Sequence, residues 1–412
     1  MLYYLLFLIY FVLLVYVIQK SALVRSSPFS ATQIILLFAL KATAGVLIGW
    51  MSATYYPEGN DYWTLHRDGL VEHQLLITDP GKFFTDIINS PYEDKYGGFF
   101  NSVGSYWNDL KNNIIIKILG LLNVLSGRNY YINSLFLNTL SFVGTIALAN
   151  VFFSVSRNKS AVLIACFLLP STLYFSSGIH KDLFVFSFLG FFIYSFYNLL
   201  KKFNIGLLGL FVISTMMLLL MRNIVLLIIF FPCIFLYLTQ RLRWSIIKSA
   251  VTTFAFFIIT FLLTHITPAD PLKIVVQKQK DFFALGTAYS QLPLDTLQPS
   301  VKSFISITPE AANHSFLRPY LWEYPGHFLM LMAIELIVYL LLIAVAVLSR
   351  KWLTGDKSFY YFCIAFGFFM IITAGYIVPN TGSIVRYRSL YVPFLIFPAL
   401  SLLLNRKKHI IF

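Results

Sequence analysis

The stretch SRNKSAVLIACFLLPSTLYFSSGIHKDLFVFSFLGFFIYSFYNLLKK, residues 156–202, contains two long apolar runs between basic turns. The first run covers 161–178 and the second 182–199, and each approaches the roughly 20 residues that a helix needs to cross a bilayer. Arg157 and Lys159 precede the pair, Lys201 and Lys202 follow it, and the polar sequence HKD stands between the runs. The stretch therefore predicts two membrane-spanning helices joined by a turn on the side opposite the basic residues.

The rest of the chain repeats this pattern. Of its 412 residues, 58% are hydrophobic and 12% are charged. The predicted fold class is all-α: a polytopic transmembrane helix bundle, with residues 1–412 forming a single integral membrane domain. About eleven spans are expected (ten to twelve), at 2–18, 33–52, 131–154, 161–178, 182–199, 203–221, 223–239, 247–266, 326–349, 358–378 and 388–404. The segment 112–127 is interpreted as an interfacial or re-entrant helix, with a twelfth span as the alternative.

Charges are sorted between the two sides of this predicted membrane. The loops on one side contain a single acid, Asp356, and fifteen basic residues: Lys20, Arg25, Arg157, Lys159, Lys201, Lys202, Arg241, Arg243, Lys248, Arg350, Lys351, Lys357, Arg406, Lys407 and Lys408. Because loops rich in lysine and arginine stay in the cytoplasm, this side is predicted to be cytoplasmic and the N-terminus to be outside. These loops explain most of the +14 net charge, so no nucleic-acid partner is expected, whereas membrane lipids are.

Two long loops, 53–130 and 267–325, are predicted on the exterior side. The first is rich in acids, and its opening GNDYW predicts a helix capped by Asn60 or Asp61. Asp61 should lie near the lipid headgroups, while Asp68 and Glu72 are interpreted as a solvated face of the same helix. In the second loop, His314, Arg318 and Glu323 are the polar candidates for chemistry. Such a loop can fold back as a lid over a cavity.

Four cations lie at exterior membrane edges, against the general charge distribution: Lys181, Arg222, Arg386 and Arg388. Asp182 can neutralise Lys181, but no nearby residue in the sequence neutralises the other three. A charge at this level is costly to desolvate, and such residues are commonly functional. Because guanidinium groups match phosphate oxygens bidentately, the four cations predict a site for a phosphate or pyrophosphate group. Binding of ordinary lipid phosphates, or pairing with acids of the first loop, is the alternative.

The remaining features restrict the possible function. Lys41 and Glu335 are isolated charges within predicted spans, and they fit either an ion path or a buried structural role. Cys166, Cys233 and Cys363 all fall in apolar runs, so no disulfide framework is expected. The sequence contains no zinc-ligand spacing and no glycine-rich phosphate loop, and neither a metal nor another cofactor is predicted.

Three stretches resemble the polytopic glycosyltransferases that take sugars from polyprenyl-phosphate carriers, the GT-C superfamily. They are GNDYW (59–63), the segment 156–196, and RYRSLYVPFLIFPALSLLL (386–404). The resemblance implies that Asp61 is the catalytic carboxylate of the first loop, acting as a general base on the acceptor hydroxyl. Asp182 corresponds to a second acidic residue on the exterior side. The resemblance also implies a carrier-phosphate site at Arg386 and Arg388, to which the charge pattern adds Arg222, Lys181, His180, Arg318 and His314. The chain differs from the family pattern in an additional span before Asp61 and in lacking an Asp-x-Asp motif.

The function expected from this resemblance is transfer of a sugar from a polyprenyl-phosphate or polyprenyl-diphosphate carrier to a glycan or lipid acceptor. The reaction would take place on the exterior face of a bacterial inner membrane. The related O-antigen and exopolysaccharide polymerases fit the late loop with His314 and Arg318 equally well. A transporter or flippase of a lipid-linked anion is the competing class, since it could use the same cations without breaking a bond.

Overall fold

The computed structural model describes residues 2–56, 60–89, 105–264, 270–284, 290–323, 326–349, 353 and 355–404. The regular secondary structure in these ranges is helical. In chain order it comprises α1 (Leu2–Lys20), α2 (Ala22–Arg25), α3 (Ala31–Tyr55), α4 (Asp61–Thr78), α5 (Pro80–Asn89), α6 (Tyr106–Ser126), α7 (Tyr130–Ser156), α8 (Lys159–Leu163), a first π-helix (Ile164–Leu168), α9 (Pro170–Phe175), α10 (Lys181–Lys201), α11 (Ile205–Gln240), α12 (Ile246–Thr264), α13 (Pro271–Ala284), α14 (Val301–Ala312), a second π-helix (Asn313–Leu317), α15 (His327–Leu348), α16 (Lys357–Ile377) and α17 (Thr381–Leu403).

Seven helices of the described ranges are long and apolar enough to cross a membrane: α1, α3, α7, α10, α11, α15 and α16. The chain is thus an all-α protein with the long apolar helices of a membrane bundle. The predicted spans 203–221 and 223–239 both fall in α11, so the seven helices cover eight of the eleven predicted spans. The segment 112–127 falls in α6, which is not one of the seven. The count of eleven spans and the orientation of the chain stay predictions.

The chain divides into two compact units. Unit 1 comprises Met1–Val151, Leu173–Tyr197 and Asn204–Asn223, and unit 2 comprises Phe152–Thr172, Asn198–Phe203 and Ile224–Phe412. Both units are assembled from segments that are distant in sequence, so neither corresponds to one of the predicted exterior loops.

In unit 1, small residues let α7 and α10 approach closely. A methyl group added at Gly190 would lie 2.1 Å from the carbonyl oxygen of Gly144, and one added at Gly144 would lie 2.5 Å from the carbonyl oxygen of Ser187. Side chains larger than hydrogen are therefore excluded at both glycines. Close backbone packing of this kind is a common way for membrane helices to associate.

In unit 2, the predicted span 161–178 begins as α8 and is interrupted at Leu169, whose backbone is extended (φ −76°, ψ 116°). The interruption has a local cause, because the ring of Pro170 disfavours helical geometry at the preceding residue. Pro170 itself begins α9, where its missing N–H is no loss. The backbone N–H of Ser171 donates to Oε1 of Glu335 at 2.8 Å, which satisfies one of the amides exposed by the new helix start.

The core of unit 2 is aromatic around α17. The rings of Phe152 and Phe397 are stacked with centroids 3.9 Å apart, and Phe366 meets Phe394 edge-on at 4.9 Å. All four side chains are fully buried. This packing places the predicted final span, 388–404, in the interior of the unit.

Candidate acid–base site around His180

Asp61 is the first residue of α4 in unit 1. The cap of this helix is Asn60, whose Oδ1 accepts a hydrogen bond from the N–H of Trp63 at 2.9 Å. Of the two capping residues that the sequence allows, the structure therefore uses Asn60. The Asp61 side chain is 47% exposed, so a molecule arriving from outside can reach it.

The carboxylate of Asp61 faces the imidazole of His180. Oδ2 of Asp61 lies 3.4 Å from Nε2 of His180, and the histidine side chain is only 3% exposed. The ring of Tyr62 stacks on the imidazole, with centroids 4.7 Å apart and an interplanar angle of 26°. The sequence separates Asp61 from His180 by 119 positions, and the fold brings them together.

The other imidazole nitrogen of His180 faces Asp182. Nδ1 accepts a hydrogen bond from the backbone N–H of Asp182 at 3.2 Å, and Oδ2 of Asp182 lies 3.2 Å from the same nitrogen. A neutral imidazole that accepts at Nδ1 has its proton on Nε2, the nitrogen that faces Asp61. If a second proton is added, both nitrogens face a carboxylate. The arrangement can therefore hold a proton between an exposed carboxylate and a buried imidazole.

Arg222 completes the chain of polar groups. Its Nη2 lies 2.7 Å from Oδ1 of Asp182, and both side chains are largely buried. No residue near Arg222 in the sequence was expected to neutralise it, and the partner that the fold supplies is 40 positions away: Asp182, the acid that the sequence offers to Lys181. The helix α11 is interrupted at Arg222, whose backbone is non-helical (φ −156°, ψ 76°). This interruption coincides with the boundary between the predicted spans 203–221 and 223–239.

Four other candidate residues belong to unit 2: His314, Arg318, Arg386 and Arg388. Arg388 is 5% exposed, and it donates to the carbonyl oxygen of Ser315 from Nε at 3.3 Å and from Nη2 at 3.0 Å. Nη2 also donates to the carbonyl oxygen of Arg318. Because these carbonyls lie in and just beyond the second π-helix, Arg388 connects α17 to the chain segment that precedes α15. Arg386 is half-buried, and its carbonyl oxygen accepts from Ser389 Oγ at 2.7 Å.

His314 and Arg318 form a second polar cluster in unit 2. Nη1 of Arg318 lies 2.9 Å from Oε1 of Glu323. His314 is buried, with Nε2 at 3.9 Å from Oε1 of Glu310. Burial and, to a smaller extent, the positive charge of Arg318 together lower the pKa of His314 to about 4. His314 is consequently a neutral ring at physiological pH.

The structure thus brings four of the predicted site residues, Asp61, His180, Asp182 and Arg222, into one line within unit 1. Lys181 begins α10 beside them in sequence. In the described part of the chain no group of three or more His, Cys, Asp or Glu residues could hold a metal ion. Tyr62 was not predicted as a site residue, although its position directly after Asp61 was an available signal.

Comparison with protein-family models, with curated proteins and with solved structures gave no match for this chain.

Proposed function

We propose that the protein is a membrane glycosyltransferase that moves a sugar from a polyprenyl-phosphate or polyprenyl-diphosphate carrier to an acceptor hydroxyl. The observation that supports this proposal is the contact between the exposed carboxylate of Asp61 and the buried imidazole of His180. A carboxylate that is partly exposed on one side and lies against a buried imidazole on the other suits a general base.

In the proposed reaction, Asp61 takes the proton of the acceptor hydroxyl. The acceptor oxygen then forms a bond to the anomeric carbon, while the bond between that carbon and the carrier phosphate oxygen breaks. The phosphate leaves with the bonding electron pair and needs no proton if cations neutralise it. His180 orients Asp61 from its Nε2 side, Asp182 holds His180 at Nδ1, and Arg222 balances the charge of Asp182.

The cations divide into different roles under this proposal. Arg222, Arg318 and Arg388 already engage a carboxylate or backbone carbonyls, which favours a supporting role for them. Lys181, next to His180 in the chain, is our candidate for the leaving phosphate in unit 1. Arg386 stays a candidate for phosphate binding within unit 2.

A polymerase of lipid-linked glycan units is the second candidate function. It is favoured by the cluster of Glu310, His314, Arg318 and Glu323, which repeats the arrangement of a partly exposed carboxylate next to a buried histidine. The two functions join sugars by the same chemistry. The base is Asp61 of unit 1 in the first function and the carboxylate next to His314, in unit 2, in the second. The variant His314→Gln should abolish product under the second candidate and retain it under the first.

The flippase alternative is less well supported by the contacts of the two intramembrane charges. In unit 1, Nζ of Lys41 donates to the carbonyl oxygen of Ser176, and in unit 2, Glu335 accepts from the backbone N–H of Ser171. Each charge is engaged by the backbone, which favours structural roles over an ion path.

The direct test replaces Asp61 with asparagine. An amide cannot accept the proton, so product formation from a polyprenyl-phosphate-linked sugar by the purified, reconstituted protein should fall about 100-fold to 10,000-fold. The matched control is Asp68→Asn on the same helix, at an exposed position, which should retain wild-type activity. Product at near wild-type rate from Asp61→Asn, with normal folding, would remove Asp61 from the catalytic role.

A further inference from the structure

The loop that presents His180 is held by a buried lysine. Lys41 on α3 is 5% exposed, and its Nζ donates to the carbonyl oxygen of Ser176 at 2.6 Å and to Ser176 Oγ at 2.5 Å. Ser141 Oγ donates to the same carbonyl oxygen at 2.9 Å. Ser176 follows the last residue of α9, so the ammonium group lies at the carbonyl end of that helix, where a positive charge is favourable.

The residues between Ser176 and His180 are also engaged by other elements of unit 1. The N–H of Gly178 donates to Asn138 Oδ1 at 3.1 Å, and the N–H of Ile179 donates to Tyr130 Oη at 3.5 Å. Gly178 has a positive φ of 80°, a conformation that favours glycine, and a methyl group there would lie 3.3 Å from the ring of Tyr62. Hydrogen bonds to side chains of α3 and α7 therefore hold the backbone of this loop in place.

We infer that Lys41 is a positioning residue, which acts through Ser176 to fix the loop that holds His180 against Asp61. This inference rests on the proposed function, in which His180 orients the general base. Lys41 acts at a distance from both carboxylates, but its acceptor, Ser176, lies only four positions before His180 in the chain. A shift of Ser176 moves the Nε2 atom away from Asp61, and misplacement of a catalytic group by about 1 Å can cost a hundredfold in rate.

Burying a neutral hydrogen-bond donor in hydrocarbon costs less free energy than burying an ammonium group. Ser141 already supplies such a neutral donor to Ser176. Lys41 adds two more donated hydrogen bonds to this residue, one to its carbonyl oxygen and one to its hydroxyl group. Retaining a costly lysine at this position is understandable if the loop must be held more firmly than a hydroxyl group can hold it.

The test compares Lys41→Met with Lys117→Met. Lys117 is a second buried lysine of unit 1, and it pairs with Glu72 rather than with the His180 loop. Both substitutions should lower thermal stability. Only Lys41→Met should lower kcat per folded molecule, by about tenfold to a hundredfold with KM unchanged. Lys41→Arg, which keeps a charged donor, should restore part of the loss.

A second measurement follows the imidazole directly and needs no substrate. In protein labelled with ¹⁵N-histidine, the two ring-nitrogen signals of His180, assigned with His180→Gln, report which nitrogen holds the proton. Lys41→Met should change these signals, and Lys117→Met should leave them as in the wild type. Should Lys41→Met fail to fold, Ser176→Ala, which removes one acceptor of Lys41, should change the signals and lower kcat severalfold.

The outcomes separate the two proposals. Wild-type His180 signals and wild-type kcat per folded molecule in Lys41→Met, or in Ser176→Ala if the first variant does not fold, would overturn the positioning role. Product formation by Asp61→Asn together with altered His180 signals in Lys41→Met would instead overturn the proposed reaction while the loop remains dependent on Lys41.

Discussion

Glu72 forms a buried ion pair with Lys117, although the sequence places it on a solvated helix face with Asp68. Oε2 of Glu72 lies 2.6 Å from Nζ of Lys117, and both side chains are 5% exposed. The ammonium group also lies 4.4 Å from the centroid of the Phe83 ring. The interpretation of Glu72 as solvated was wrong because α6 covers it. Its partner on α6, Lys117, is 45 residues away in the sequence, so the local pattern could not show the contact. Asp68, by contrast, is exposed as expected.

Removing one partner of this pair should be more harmful than removing both. Either Glu72→Met or Lys117→Met leaves a buried charge without its counter-ion, which costs about 3–5 kcal/mol. The double substitution leaves no charge, so its loss in free energy of unfolding should be clearly smaller than the sum of the single losses. Thermal unfolding of the four proteins in one detergent measures the coupling. Additive losses would show that the pair contributes no coupling energy.

At the scale of the helices, apolar runs predict where most long helices occur, but they do not show where a helix is broken. The run 161–178 contains Pro170, a signal that was available, yet its hydrophobicity is continuous. A break within a membrane must satisfy the backbone groups that it exposes. Here the N–H of Ser171 donates to Glu335, which is 164 residues away in the sequence. A partner at that distance cannot be identified from the local sequence.

The start of α9 should therefore depend on an acceptor at position 335. Glu335 accepts from the N–H of Ser171 and from the hydroxyl of Tyr339. Glu335→Gln keeps an acceptor oxygen and should change stability little. Glu335→Leu leaves two buried donors without an acceptor, and each such group costs about 1–3 kcal/mol. Thermal unfolding in detergent distinguishes the variants, and equal stability of the glutamine and leucine proteins would contradict this role of Glu335.

At the scale of the whole molecule, the sequence predicts the membrane class and the residue types of the candidate site but not how these residues are paired. Asp61, His180, Asp182 and Arg222 were all candidates, chosen by charge and by position relative to apolar runs. Their arrangement depends on the packing of three helices and one loop of unit 1. The sequence offers Asp182 its neighbour Lys181, and the fold adds Arg222, which lies 40 positions away. Local sequence favours near neighbours, and the pairs that matter here are non-local.

The stability of the folded chain should fall in mild acid because of two buried histidines. Burial lowers the pKa of His66 to about 4, although a backbone hydrogen bond with Arg128 opposes this, and the pKa of His314 is also about 4. Between the ordinary histidine pKa of about 6.5 and this value, the unfolded chain binds a proton that the folded chain does not. Unfolding therefore takes up protons, and the free energy of unfolding decreases as the pH falls through this window.

The expected loss from each histidine at pH 5 is at most about 2 kcal/mol, from 1.4 kcal/mol per unit of pKa. Partial desolvation raises the pKa of Asp68 and of Glu310, which acts in the opposite direction and reduces the net loss. The melting temperature in detergent, measured at pH 7 and at pH 5, should drop for the wild type. His66→Gln and His314→Gln should each show a smaller drop, because glutamine takes up no proton. A drop of the same size in both variants and the wild type would show that neither histidine contributes to the acid sensitivity.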